Sequence, residues 1–129
     1  MEIYISEEDI LGNIQDRFQE VYPYLKLEFF LYPHPVQGPS DLGARVSPET
    51  PVEVIRMVHS FGWVDIGDNR TVEEVETDFC RDLGLYVQVF RRTRTGWLET
   101  ARTDDLTLGE QNAMGKENVE TEMSVIPAE

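Results

Sequence analysis

Cysteine and histidine are scarce in this chain: its 129 residues include one cysteine, Cys80, and two histidines, His34 and His59. A lone cysteine cannot form an internal disulfide, which excludes a disulfide-stabilised scaffold and favours a reducing compartment. None of the three residues belongs to a metal-binding or nucleophile motif of recognised spacing. Isolated histidines and thiols serve packing more often than chemistry. We therefore predict no catalytic residue, no metal site and no cofactor.

Positive charge is also scarce. The chain has 11 lysines and arginines against 25 aspartates and glutamates, which gives a formal net charge of −14 at pH 7. This balance argues against binding to nucleic acid or to an anionic membrane, because both need a basic patch. No apolar run approaches the length of a membrane span, and residues 1–4 lack the basic start of a secretion signal. We expect a cytoplasmic protein.

The stretch from residue 71 to residue 100 carries the clearest structural pattern. Thr71 and Glu74 have the spacing of a capping box, and Gly84 is suited to end the helix that they begin. The apolar residues between them recur at helical spacing: Val72, Val75, Phe79 and Leu83. Residues 85–90 alternate as a strand does, residues 91–96 form a polar loop, and residues 97–100 resemble a returning strand.

The first 32 residues have the same order of elements. Residues 3–5 indicate a strand, Ser6 and Asp9 offer a capping box for a helix near residues 7–22, and residues 24–31 indicate a second strand. An offset of 61 residues, which falls to 60 after the helix, carries the apolar positions of this unit onto those of the second unit, residues 62–100. Two β–α–β repeats explain the match, although any two units of this type share some periodicity.

The remaining segments are a connection and a tail. Residues 33–50 are rich in proline and glycine and predict a long loop, and residues 51–61 fit a short helix or a strand. Thr107 and Glu110 form another capping box, for a short helix that Gly115 would end. Residues 116–129 are acidic and aperiodic, so we predict one domain over residues 1–115 followed by a poorly ordered tail.

Five segments, together with Phe79, resemble a small uncharacterised bacterial α+β family with no known activity. The segments are TVEEVE, GLYVQVF, WLET, TDD and TLGEQN. The resemblance covers roughly the second half of the chain. It implies a compact α+β unit and contributes no functional residue.

Two groups of residues are candidates for contact with a partner. Arg91, Arg92 and Arg94 form the one basic cluster, and arginine forks suit carboxylate or phosphate. The alternative is that they offset the protein's own acids. Phe30 and Phe90 point away from the main Leu/Val face of their strands, so we expect a second cover over them: the 33–50 loop, a second copy or another protein. Most other aromatic residues are expected in the core.

These patterns together predict an α+β two-layer sandwich. We expect a mixed sheet of about five strands with two main helices, parallel pairing within each β–α–β unit, and an order that leaves a ferredoxin-like arrangement open. The favoured function is a non-catalytic interaction or regulatory protein with a protein partner or a second copy. One alternative is an acidic decoy that occupies a basic partner surface. Another is a small hydrolase or metal-dependent enzyme, which would need His34, His59 or Cys80 beside carboxylates in a pocket.

Overall fold

The structure, a computed structural model, describes residues 1–33, 41–55 and 61–124 and confirms an α+β fold. Within that part of the chain the five strands are β1 (Glu2–Ile5), β2 (Leu25–Phe30), β3 (Gly62–Asp65), β4 (Tyr86–Arg92) and β5 (Trp97–Glu99). The α-helices are α1 (Leu11–Val21), α2 (Val52–Ile55), α3 (Val72–Leu83) and α4 (Leu108–Ser124). Two 3₁₀ turns, Leu42–Ala44 and Ala101–Thr103, lie in the connections.

The strands form two small antiparallel sheets instead of one mixed sheet. β1 pairs with β3, and β4 lies between β2 and β5. The predicted parallel β–α–β pairing and the ferredoxin-like order are therefore wrong. The two strands that flank α1 enter different sheets, and so do the two that flank α3. Each of these strands pairs with its counterpart from the other half, a choice that local apolar patterns do not encode.

Helix α3 forms as its sequence predicts. Thr71 accepts from the N–H of Glu74 at 3.1 Å, and the Glu74 carboxylate accepts from the N–H of Thr71 at 2.9 Å. The whole apolar stripe of the helix is buried. Gly84 ends the helix at φ 66°, a left-handed conformation that a residue with a Cβ adopts only at a cost.

Helix α1 begins later than predicted and without a side-chain cap. Ile10 is its N-cap residue, whereas Ser6 bonds within the preceding turn, so the predicted Ser6 capping box is wrong. The first amides of the helix find other acceptors: Leu11 N–H donates to Thr50 O and Gly12 N–H donates to Pro48 O. Tertiary backbone contacts thus satisfy donors that a cap would otherwise satisfy.

The third main helix, α4, is longer than the sequence predicted. It runs through Gly115 to Ser124, so the predicted end at Gly115 is wrong and residues 116–124 are helical. Gly115 lies where the helix approaches Tyr24: an added Cβ would meet the Cβ and the carbonyl oxygen of Tyr24 at 2.9 Å. The glycine permits close packing here and does not mark a helix end. Of residues 51–61, 52–55 are helix α2, and 56–60 lie outside the described residues.

The core lies where α1 and α3 cover the inner faces of the sheets. The aromatic rings of Phe18, Phe29 and Phe79 are fully buried, and Phe29 meets Phe79 nearly edge-on at 6.1 Å. At the end of α1, Tyr22 is also buried, and its hydroxyl donates to the Ile66 carbonyl at 2.5 Å. This bond ties the first half of the chain to the residue that follows β3.

The two halves repeat one backbone pattern, which supports and extends the predicted duplication. Equivalent residues are 61 apart at the main helix and 56 apart at the helix that follows it. The matching hydrogen bonds are Leu11 N–H to Thr50 O and Val72 N–H to Leu106 O, then Val52 N–H to Asp9 O and Leu108 N–H to Arg70 O. Isolated bridges repeat as well: Ile10 with Pro51, and Thr71 with Thr107. α2 is therefore the counterpart of α4.

Candidate interaction surface

The outer face of the β1–β3 sheet exposes a cluster of aromatic rings. Tyr4 lies directly opposite Trp63 in the register of the two strands, and their rings meet edge to face at 5.1 Å. Phe61 adds a third ring, 6.5 Å from Tyr4. Trp63 is 62% exposed and Phe61 67% exposed. Large rings grouped in this way on a surface are typical of binding sites, whereas single exposed apolar residues are not.

Two carboxylates complete this face. Glu2 lies directly opposite Asp65, one step along the same side of the strands from the Tyr4–Trp63 pair, and both carboxylates are exposed. Like charges that face each other across a strand pair destabilise it. The Met1 amino group, 4.0 Å from Asp65, offsets part of this repulsion. We call Glu2, Tyr4, Phe61, Trp63 and Asp65 the aromatic–acidic face.

A groove of about 540 Å³ borders this face on the side of α1. Its lining includes Tyr4 and the carboxylates of Glu2, Asp9 and Glu20. Arg17 also lines the groove, but its Nη2 is engaged by Asp9 at 2.8 Å and by the carbonyl oxygen of Tyr4 at 3.2 Å. The groove therefore continues the combination of apolar rings and negative charge that marks the face.

The arginines predicted to contact a partner lie in three different environments. Arg91 belongs to β4, not to the hairpin loop, and is buried. Arg92 ends β4, with its guanidinium carbon 5.6 Å from the centroid of the Trp97 ring. Lys26 lies over the same ring at 5.1 Å. Arg94 is exposed in the turn between β4 and β5. A partner role for the exposed Arg94 and half-buried Arg92 stays a prediction.

Phe30 and Phe90 do not form an outward-facing aromatic surface. Phe30 is 3% exposed and Phe90 5% exposed, and the ammonium of Lys26 lies 5.3 Å from the Phe90 ring. Segment 33–50, which was expected to cover such rings, is described at Pro33 and from residue 41 onward; there Arg45 forms a bridge with Phe30. Both rings are interior residues of the folded chain.

The enzyme alternative rests on Cys80, since His34 and His59 lie outside the described residues. Cys80 is exposed and lines a pocket of about 180 Å³ together with Glu76, Asp104 and Tyr86. A reactive thiolate needs a nearby cation or a helix N-terminus, whereas this thiol lies near the C-terminal end of α3 among carboxylates. In residues 1–33, 41–55 and 61–124 no cluster of His, Cys, Asp and Glu could hold a metal ion.

No protein family, curated protein or solved structure matches the chain. The resemblance of its second half to a bacterial α+β family thus stays a prediction. In the part of the chain that the structure describes, no helix is both long enough and apolar enough to cross a membrane.

Sequence reasoning missed the aromatic–acidic face, although part of the signal was present. Tyr4 alternates with Ile3 and Ile5, and Trp63 precedes Val64, so period-two alternation already places both rings opposite the core. What the alternation does not contain is the register that brings Tyr4 to Trp63 and Glu2 to Asp65. Most aromatic residues were expected in the core, and for Phe61 and Trp63 that expectation is wrong.

Proposed function

We propose that this chain is a non-catalytic interaction protein whose aromatic–acidic face binds a basic segment of a partner protein. The observation that supports this most directly is the facing pair of Glu2 and Asp65 beside the exposed rings of Tyr4 and Trp63. A lysine or arginine side chain of the partner would neutralise the two carboxylates and lie against the Trp63 ring as a cation–π contact. Its apolar neighbours would cover Tyr4 and Phe61.

Charge favours a basic partner over a second copy of this chain. Two copies joined through this face would bring two Glu2 and two Asp65 carboxylates together, within molecules that each carry a net charge of −14. A basic partner gains from the same charges through faster encounter and a complementary contact. The exposed Cys80 thiol is compatible with the reducing cytoplasm that the composition favours.

The decoy alternative receives less support. It needs carboxylates concentrated on one face, yet acidic residues occur in each of the four α-helices and in four of the five strands. The β1–β3 sheet places two facing carboxylates beside exposed aromatic rings. We therefore assign partner recognition to the β1–β3 sheet, and we assign the long-range electrostatic attraction of a basic partner to the net charge of the protein.

Calorimetric titration with a short peptide that alternates leucine with lysine and arginine tests the proposal. We expect salt-sensitive binding that a peptide with glutamate in place of the basic residues does not show. W63A should weaken binding by roughly tenfold, because a desolvated cation–π contact contributes about 1–2 kcal/mol. Sedimentation velocity should show a monomer in the absence of peptide.

A matched pair of charge variants separates local recognition from net charge. The double variant E2Q/D65N should lose affinity and gain a few tenths of a kcal/mol in stability, since it removes like-charge repulsion. The double variant E117Q/D105N changes the net charge equally at exposed positions outside the face and should lose much less affinity. Equal losses in both variants would support the decoy, and a dimer that E2Q/D65N stabilises would support self-association instead.

A further inference from the structure

Arg91 is a buried cation, 9% exposed, that has no counter-ion among the described residues. Its polar contacts are a 2.8 Å hydrogen bond from Nη1 to Gln111 Oε1 and a 3.7 Å contact with Met114 Sδ. Nε has no hydrogen-bond acceptor among the described residues. Burial lowers the pKa of the Arg91 guanidinium. In the part of the chain that the structure describes, no carboxylate forms an ion pair with this buried positive charge, which is costly unless something else neutralises it.

The contacts of Gln111 hold the guanidinium in place. Gln111 is fully buried, and its Nε2 donates to the carbonyl oxygen and to the hydroxyl of Thr103, at 2.7 and 2.9 Å. Both amide hydrogens are thereby used, so Oε1 faces Arg91. The resulting bond occupies Nη1, Nε is buried without an acceptor, and no hydrogen bond engages Nη2 among the described residues. Nη2 can therefore donate a charge-assisted hydrogen bond to an anion.

A pocket of about 320 Å³ adjoins this group. It is lined by Arg91, Leu98, Glu99, Ala101, Arg102 and Thr103. Leu98 and Ala101 supply apolar surface, and Arg102 is an exposed second cation. A volume of this size is within the range of small-molecule sites, which combine an apolar wall with a few fixed polar groups.

We propose that this pocket binds a small organic carboxylate. The carboxylate accepts a hydrogen bond from Nη2 of the Arg91 guanidinium, Arg102 adds long-range attraction at the rim, and the apolar body of the ligand packs against Leu98 and Ala101. The site shares no residue with the aromatic–acidic face, so the test of this site is independent of the test of the proposed function.

NMR titration of the full chain with benzoate, and with benzamide as the neutral isostere, tests the site. We expect benzoate to shift the amide resonances of Leu98 and of residues 101–103, with millimolar or tighter affinity. Benzamide should bind at least about tenfold more weakly, since it loses the charge-assisted pair. Arg91→Leu should abolish benzoate binding, because it removes the cation that the carboxylate needs. Arg94→Leu removes the same charge outside the pocket and should leave the affinity unchanged.

Three results would overturn the proposal: benzamide binding as well as benzoate, resonance shifts that map away from the pocket, or Arg91→Leu binding with wild-type affinity. Arg91→Lys keeps the charge but replaces the planar guanidinium with a compact ammonium that cannot reproduce the position of Nη2, so it should fold and bind benzoate roughly tenfold more weakly. If Arg91→Leu folds poorly, the affinity of Arg91→Lys for benzoate tests the proposal in its place. Inorganic phosphate that displaces benzoate at equal concentration would overturn the assignment to a carboxylate with an apolar body.

Discussion

Ile3 lies directly opposite Val64 across the β1–β3 pair, and these two residues are also equivalent positions of the two halves. The β2–β4 pair repeats the relationship, because Glu28 lies opposite Gln88, its equivalent at an offset of 60. Residues related by a twofold rotation face each other in an antiparallel pair only where the rotation axis passes between them. Each sheet therefore has an approximate twofold axis between these residues, and each half completes the sheets of the other.

This symmetry predicts equal roles for Phe18 and Phe79, which are equivalent and fully buried. F18A and F79A should each lower the free energy of unfolding by about 3–5 kcal/mol, the usual cost of removing a buried ring. Urea denaturation followed by circular dichroism measures the loss. If an alanine variant does not fold, F79L should fold with a loss of about 1 kcal/mol. A loss at one position several times that at the other would contradict the twofold arrangement of the core.

The two capping boxes should contribute equally to stability. Thr71 with Glu74 and Thr107 with Glu110 have the same pair of hydrogen bonds, at 3.1 and 2.9 Å. T71A and T107A should each lower the free energy of unfolding by about 1 kcal/mol. Chemical denaturation provides the measurement. A negligible effect of T107A would show that α4 is held by its tertiary contacts and not by this cap.

Acid should destabilise the protein partly through these caps. The backbone hydrogen bond at Thr71 lowers the pKa of Glu74 below its ordinary 4.5, and the bond at Thr107 lowers that of Glu110. A lowered folded-state pKa gives stability that is present above pH 4.5 and lost as the pH falls through the folded value. E74Q and E110Q keep an oxygen acceptor but cannot titrate, so each should flatten the acid limb of the stability profile.

At high pH the sensitive group is Tyr22. Burial, together with the carboxylates of Asp68 and Asp65, raises the pKa of Tyr22 from 10.0 to about 12. The unfolded chain therefore loses this proton first, and the stability from Tyr22 is complete below pH 10 and lost as the pH rises through about 12. Y22F should remove this dependence and cost about 1–3 kcal/mol at neutral pH, because the Ile66 carbonyl loses its donor. Stability profiles that run parallel from pH 9 to about 12 would contradict this assignment.

Local signals in the sequence predicted most of the elements. The Thr71–Glu74 cap, the apolar stripe of α3 and the terminal Gly84 are each recognised from residues that are close neighbours in the sequence. No tertiary information was needed to predict them. Strand pairing is different, because the partner of β1 lies some sixty residues away and the alternation of β1 fits several partners. Gly115 shows the same limit. Whether a glycine ends a helix or packs against Tyr24 depends on what lies beside it.

The candidate surfaces illustrate this limit further. Arg91 was visible as part of a basic cluster, but its burial depends on Gln111 and Met114 of a helix that was predicted to end at Gly115. The outward direction of Tyr4 was implied by alternation, whereas its meeting with Trp63 required the register. Composition indicated a strongly acidic protein, but it could not show which charges lie beside which rings.

The carboxylate of Glu76 accepts from the N–H of Val89 at 3.0 Å, and Thr100 donates to the Val89 carbonyl from both its amide and its hydroxyl. These side chains occupy the places that a further strand would take where β5 ends. β4 thus cannot template the addition of another chain at this point. Copies of the protein also repel each other, because each carries a net charge of −14. We therefore expect the folded protein to resist aggregation even when it is concentrated.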